Sequence, residues 1–204
     1  MKKIFVLVSA LVALVTSFSA NALADMSNPY TLANEVATTT VNKIKLKKNK
    51  LSDPDVGLEI IEKNLMPYID IKYASYKVMG PSLKSTTPDE RERFTTAFAN
   101  YMKKNFSSVL SKYTSQEIVP ADVKPVKDDE NLVSVKLIIR EDGKKDLELI
   151  LKLRKNNKTG EWKAFDMIGE NISMLDAKIS EISPIIKSSG VDAAIAKLNS
   201  SETK

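Results

Sequence analysis

The sequence predicts an α+β fold, an antiparallel β-meander of about four strands with helices packed on one face, and three observations carry that prediction. Apolar residues recur every three or four positions from residue 29 to residue 113 and again after residue 173, the period of amphipathic helices. Between residues 132 and 168 the period drops to two, as in half-buried strands, with turn signals between the segments. Helices before and after a meander have one apolar surface to cover, the inner face of the sheet.

The first helix follows Asn28, which can cap it, and Pro29, which suits its first turn; Leu32 and Val36 mark its buried side. Its end carries Lys43, Lys45, Lys47, Lys48 and Lys50. A second helix starts at Asp53 and Pro54 and repeats Leu58, Ile61 and Leu65; Pro67 breaks it, and a third runs to Gly80. The longest helix opens on a capping box, Thr87 with Glu90 around Pro88, and carries Phe94, Phe98, Met102, Phe106 and Tyr113 along one stripe. Next, "QEIVPADVKPV" is at best an edge strand, because proline cannot donate to a ladder.

"NLVSVKLIIR" puts Val133, Val135, Leu137 and Ile139 on one face, and "DLELILKLRK" does the same with Leu147, Leu149, Leu151 and Leu153; "EDGK" turns between them. The segment "TGEWKAFDMIGENISMLDAKISEI" reads as a strand that turns at Gly169 into a helix with Ser173 and Asp176 as a second capping box. Pro184 is expected to kink that helix, Gly190 to stop it and Asp192 to cap a last short one.

Ahead of this domain, Lys2 and Lys3, an apolar run from Ile4 to Phe18 and the small residues of "ALA" (22–24) read as a secretory signal peptide of residues 1–24, cut before Asp25 or, as the second choice, at Ala22. That leaves residues 25–204 as one domain and places the mature chain in an exported compartment. Removing the leader takes two lysines and no acid from the 31 basic and 26 acidic residues, leaving 29 and 26, net +3. This is too weak a field for nucleic acid, and no basic stretch is interleaved with aromatics.

The absence of His and Cys excludes triads, thiol nucleophiles and the usual zinc sites. "DPDVGLE" (53–59) resembles a calcium loop only faintly; Pro54 makes it a helix start. What chemistry remains is a carboxylate pair, Asp166 and Glu170, four residues apart at a strand-to-helix junction, and the plainer role there is to accept backbone amides. Residues alone thus indicate an exported α+β domain that is not an enzyme, with no catalytic residue, metal or cofactor.

Four stretches add a resemblance: "NPYTLANEVA", "LMPYIDIKYASYKVMG", "TPDERERFTTAFANYMKKNFSSVLSKY", and "LRKNNKTGEWKAFDMIGENISM" leading to "GVDAAIAKL". In order and spacing they resemble the MlaC (toluene-tolerance auxiliary component) family of periplasmic phospholipid-binding proteins across residues 27–198. The most specific runs are Pro67 to Ala74 and Trp162 to Met174; the sequence departs from the family pattern at Asn171, where glycine is common, and at Pro184.

The resemblance implies a monomeric periplasmic carrier that takes phospholipid acyl chains into an apolar cavity between helices and sheet. It would shuttle them between inner and outer membranes and so maintain outer-membrane asymmetry. Implied partners are phospholipid as cargo, an inner-membrane ABC transporter with an MCE-domain protein, an outer-membrane lipoprotein–porin complex and, transiently, the membrane. The lining expected is Tyr73, Val78, Phe98, Met102, Phe106, Val135, Leu137, Leu149, Leu151, Phe165, Met167 and Leu175. The alternative is an envelope protein-binding factor or chaperone without lipid.

Overall fold

The computed structural model describes residues 24–113 and 115–200; the expected leader lies outside the described residues except for Ala24. Helix α1 spans Pro29–Leu46, and the Asn28 side chain accepts from the Tyr30 and Thr31 amides. Its buried stripe is Leu32, Ala33, Val36, Thr40 and Ile44, one face at helical spacing. Lys43 and Lys45 lie in the last turn, where exposed carbonyls favour cations. Helix α2 (Pro54–Asn64) is capped by Asp53 and buries Gly57, Ile60 and Ile61. A Cβ on Gly57 would collide with Ser107 Oγ, so glycine is what lets α2 cross close to the next long helix.

A 3-10 turn (Met66–Tyr68) leads to α3 (Ile71–Met79), capped by Asp70 and ended by Gly80 at φ 55°. Helix α4 (Pro88–Leu110) carries the complete capping box: Glu90 N–H donates to Thr87 Oγ1 and Thr87 N–H to Glu90 Oε2. Its stripe is buried at Phe94 and Phe98 and only half-buried at Met102 and Phe106.

The sheet is an antiparallel meander in the order β1 (Glu117–Val119), β2 (Leu132–Arg140), β3 (Leu147–Lys155), β4 (Trp162–Gly169) and β5 (Ile172–Ser173). The register puts Val133 opposite Leu153, Val135 opposite Leu151, and Leu137 opposite Leu149. A bulge at Lys152/Leu153 pairs Leu153 with Ala164 and Lys152 with Asp166, leaving Phe165 as the extra residue. An extra residue re-aims the side chain it carries. Ala164 therefore packs with the sheet and α1, and Phe165 with the helices.

Three expectations need correction. The chain does not pass from Gly169 straight into a helix. Glu170 (φ 51°) and Asn171 (φ 62°) form a two-residue turn of the left-handed kind, and β5 pairs back on β4 before the helix begins. Asn is among the few residues that tolerate this backbone, which is why it can stand where glycine is common.

Helical dihedrals run through Pro184, and the break falls where a stop was expected, at Gly190. Helix α5 (Met174–Ser200) departs from helical dihedrals at Gly190 (φ 84°, ψ 175°), while Pro184 is exposed, on the side where a carbonyl deprived of its partner can turn to water. Asp192 spends its carboxylate on Arg93, which also pairs with Asp89, and so fastens the end of α5 to α4.

Packing runs in a circuit. Helix α1 lies on β1, β2 and β4; α2 joins α1 to α4; α4 packs on α2, α3 and α5; and α3 and α5 return to β4. Among the described residues the buried apolar side chains form three clusters around this circuit. One lies between α1 and the sheet, centred on Leu32, Val135, Leu153 and Trp162. One lies among α3, α4 and α5, with Val78, Phe94, Phe98 and Ile182. A smaller one joins the ends of α1, α2 and α4 through Ile44, Ile60 and Leu110.

Candidate functional site

Asp166 holds the corner where the sheet hands over to α5. Its side chain is nearly inaccessible. Oδ1 accepts from the Met167 amide at 2.8 Å and the Leu175 amide at 3.0 Å; Oδ2 accepts from Ser173 Oγ at 2.8 Å and lies 3.3 Å from Lys152 Nζ. Ser173 Oγ in turn accepts from the Asp176 amide at 2.9 Å. Of the two amides, that of Leu175 is one the helix leaves unpaired at its N-terminus, and that of Met167 belongs to β4. The carboxylate has no oxygen left over for a substrate proton, and Glu170 stands exposed in the turn. The pair therefore builds a corner and does not form an acid–base couple.

A second joint brings together the two most specific runs of the sequence. Asp70 N–H donates to the Ala164 carbonyl at 2.7 Å, and Ile69 bridges to Ala164 in parallel. Asp70 Oδ1 caps α3 through the Tyr73 amide, and Oδ2 takes the Arg154 guanidinium at 2.5 Å. Arg154 also lies 4.3 Å over the Tyr73 ring, which meets Phe165 edge-on at 5.1 Å. Arg154 escaped the sequence reading because it faces away from the leucine row of β3 and its partner is 84 residues away. The available signal was Asp70 as a cap. Beside this joint lies a recess of about 330 Å3 lined by Ile69, Asp70, Lys72, Arg154, Glu161 and Lys163 among others. It shares no residue with the twelve expected to line a cavity, and its mixed charges suit polar groups and not hydrocarbon.

Nine of the twelve fall in the two large clusters, and Tyr73, Phe106 and Met167 fall in neither. Val135 and Leu137 are fully buried between sheet and α1, and Leu149 and Leu151 are half-buried against them. Met167 extends the Val135–Leu151 row across the sheet, and Gly169 ends the Leu137–Leu149 row. Val78, Phe98 and Leu175 are buried among the helices, with Met102 and Phe165 packed on them. Tyr73 is half-buried against Phe165, and Phe106 is half-buried one turn beyond Met102. The meander and α4, expected to meet, do so in one cluster only at Phe165 of β4; the leucine rows of β2 and β3 pack with α1, and α3 and α5 link β4 to α4. A β-carbon placed on Gly169 would meet nothing within 4 Å.

Among the described residues no group of His, Cys, Asp and Glu side chains is placed to hold a metal ion, and no helix is long and apolar enough to cross a membrane. The lysines at the end of α1 are partly matched: Lys45 pairs with Glu117 at 3.1 Å and Lys47 with Glu59 at 2.6 Å. Lys47 and then Lys63 hold the Glu59 carboxyl down to about 2.

Comparison with known proteins adds the following. A family model described as "MlaC protein" matches residues 34–200. The chain is 32% identical over 180 residues to the intermembrane phospholipid transport system binding protein MlaC of Haemophilus influenzae, covering 87% of this chain and 84% of that one. Its fold is similar to that of a phospholipid-binding protein from Ralstonia solanacearum solved in complex with a phospholipid. The TM-score is 0.65 at 16% identity, over 82% of this chain and 94% of the other.

Proposed function

Because this chain belongs to the MlaC family, we propose that it is a periplasmic phospholipid carrier which takes acyl chains between its sheet and its helices and moves lipid between the inner and outer membranes. The observation that carries this reading is the divided core. A single domain ordinarily has one contiguous apolar cluster with smaller satellites; this one has two large clusters and a small one arranged round a circuit, with Leu149, Leu151, Met167, Met102 and Phe106 only half-buried. Flexible methionines suit a lining that must fit chains of different length.

The energetics are demanding. Two acyl chains hold roughly 30 methylenes, each worth about 0.8 kcal/mol when buried, so a carrier must recover most of about 24 kcal/mol. An apolar interior supplies this without nucleophile, acid or metal, and the protein is not an enzyme. The headgroup stays at the surface, so headgroup selectivity is weak.

Export by the N-terminal leader would deliver the mature chain, a monomer, to the periplasm. Its partners there would be an ABC transporter complex bearing an MCE-domain protein on the inner membrane and a lipoprotein–porin complex on the outer. The route serves outer-membrane asymmetry. Organic extraction of the purified protein followed by mass spectrometry tests the reading: phospholipid should be recovered near one molecule or more per protein. A protein purified without lipid, and unable to take any up from vesicles, would be the chaperone-like binder instead.

A further inference from the structure

Thr40 is the exception to polar satisfaction among the described residues. It is 9% exposed, and its Oγ1 has no hydrogen-bond partner. The other buried polar side chains are engaged: Ser75 with Thr95 and the Lys72 carbonyl, Ser107 with the Pro54 carbonyl, and Asp166 as described. A helical threonine commonly donates to the carbonyl four residues back, here that of Val36, and Thr40 does not.

Its position is as informative as its isolation. Thr40 lies on the buried stripe of α1, one turn after Val36 and one turn before Ile44. Val36 belongs to the cluster between α1 and the sheet; Ile44 belongs to the cluster with α2 and α4. Thr40 sits on the stripe between these two members of different clusters. Thr38 and Thr39 beside it are exposed, so only this hydroxyl of the three is turned inward.

We propose that Thr40 donates its hydroxyl to an ester carbonyl of the bound phospholipid, fixing how deep the glycerol end of the acyl chains sits. The inference rests on the carrier reading. The phosphate and headgroup are too strongly solvated to enter an apolar interior. The ester carbonyl is the acceptor that travels in with the chains, and a lone buried donor needs one acceptor. Arg154 and the lysines serve the surface, whereas Thr40 would read the linkage between glycerol and chain.

The test compares a diester phosphatidylethanolamine with its diether analogue of identical headgroup and chains, by competition against a fluorescent lipid. Wild type should bind the diester about threefold to tenfold more tightly, the range of one net hydrogen bond. Thr40→Val keeps the branched shape and should bind both lipids equally, while Thr40→Ser should retain the preference. The delipidated Thr40→Val protein should melt no lower than wild type, since it loses only an unpartnered hydroxyl. A wild type without linkage preference, or a preference that survives in Thr40→Val, overturns the proposal and leaves the carrier reading intact. Failure of wild type to bind either lipid overturns the carrier reading, and this inference with it.

Discussion

At the corner of β4 and α5 one carboxylate takes three hydrogen bonds and a lysine within 3.3 Å. Farther along the same sheet the row Leu137–Leu149–Gly169 ends where an added β-carbon would touch nothing. The first region is polar, closed and fixed in geometry. The second is apolar and passes from fully buried Leu137 to half-buried Leu149 and Gly169. On the proposed carrier reading, the difference separates what stays rigid from what accepts cargo. Directional bonds hold the joints at Asp166 and Asp70, and the leucine rows are held by non-directional apolar contact.

The comparison breaks most visibly at Asp166. Replacing it with Ala leaves the Leu175 amide and Ser173 hydroxyl without their acceptor and Lys152 without its carboxylate. The expected cost is about 3–5 kcal/mol, a fall in melting temperature of roughly 10 °C for a domain of this size. Thermal melts of Asp166→Ala against wild type check it, and a fall of only one or two degrees would show that the corner is not held by this group.

A smaller effect belongs to the closed helical cluster. Phe94 is fully buried and stacks on Phe98 at 6.3 Å, at the end of α4 away from Met102 and Phe106. Phe94→Trp should cost about 1–3 kcal/mol by overpacking while leaving co-purified lipid at the wild-type level. Loss of lipid with no loss of stability would move the cavity to this end.

Much of this contrast could be read from the sequence, and the reasons it stops are physical. Asn28, Asp53 and the Thr87–Glu90 box act within four residues, so spacing alone located three helix starts. Alternation in β2 and β3 predicted the leucine rows because the pleat has a period of two. The aim of Phe165 could not be read that way, since it depends on which residue of β3 lies opposite. Nor could the pairing of Asp70 with Arg154, which only the fold brings together. Thr40 carries the same letter as Thr38 and Thr39 and differs only in where α1 rests. Of the twelve residues expected to line the cavity, the β2 and β3 group was coherent, while Phe165 of β4 joins the helical group because of a bulge that spacing does not reveal.

Acid dependence gives a finer probe of the surface. Glu59 is held down to about 2, first by Lys47 and then by Lys63. A depressed folded value means that the pair stabilises the protein fully above the unfolded carboxyl range near 4.3 and stops doing so as pH falls through about 2. Denaturant unfolding at pH 5 and pH 2 should therefore show a larger acid loss for wild type than for Glu59→Gln, by a small margin because the group is exposed. Identical losses would mean that the contact does not persist in solution.

The smallest effect expected at physiological ionic strength concerns the lysines of α1. Lys43 and Lys48 have no ion-pair partner among the described residues, and Leu46 between them is 81% exposed. Each lysine near an anionic surface contributes about 1 kcal/mol, fading within a Debye length. Replacing Lys43, Lys45, Lys47 and Lys48 with Gln should weaken association with anionic vesicles at low salt and change little at 0.15 M. Unchanged sedimentation at low salt would reduce the cluster to a solvated helix end.

The central claim, that cargo occupies the interior beside the Leu137–Leu149–Gly169 row, is met most directly by Leu149→Trp. Leu149 is half-buried, and the neighbouring Gly169 leaves room for a larger ring. Phospholipid extracted from the purified variant and quantified by mass spectrometry should fall well below wild type, while the delipidated variant melts within about 2 °C of delipidated wild type, since the indole fills space used by the chain and strains no packed neighbour. Wild-type lipid content combined with a sharply lowered melting temperature would contradict the account, because Leu149 would then be solid core and the cargo would lie elsewhere.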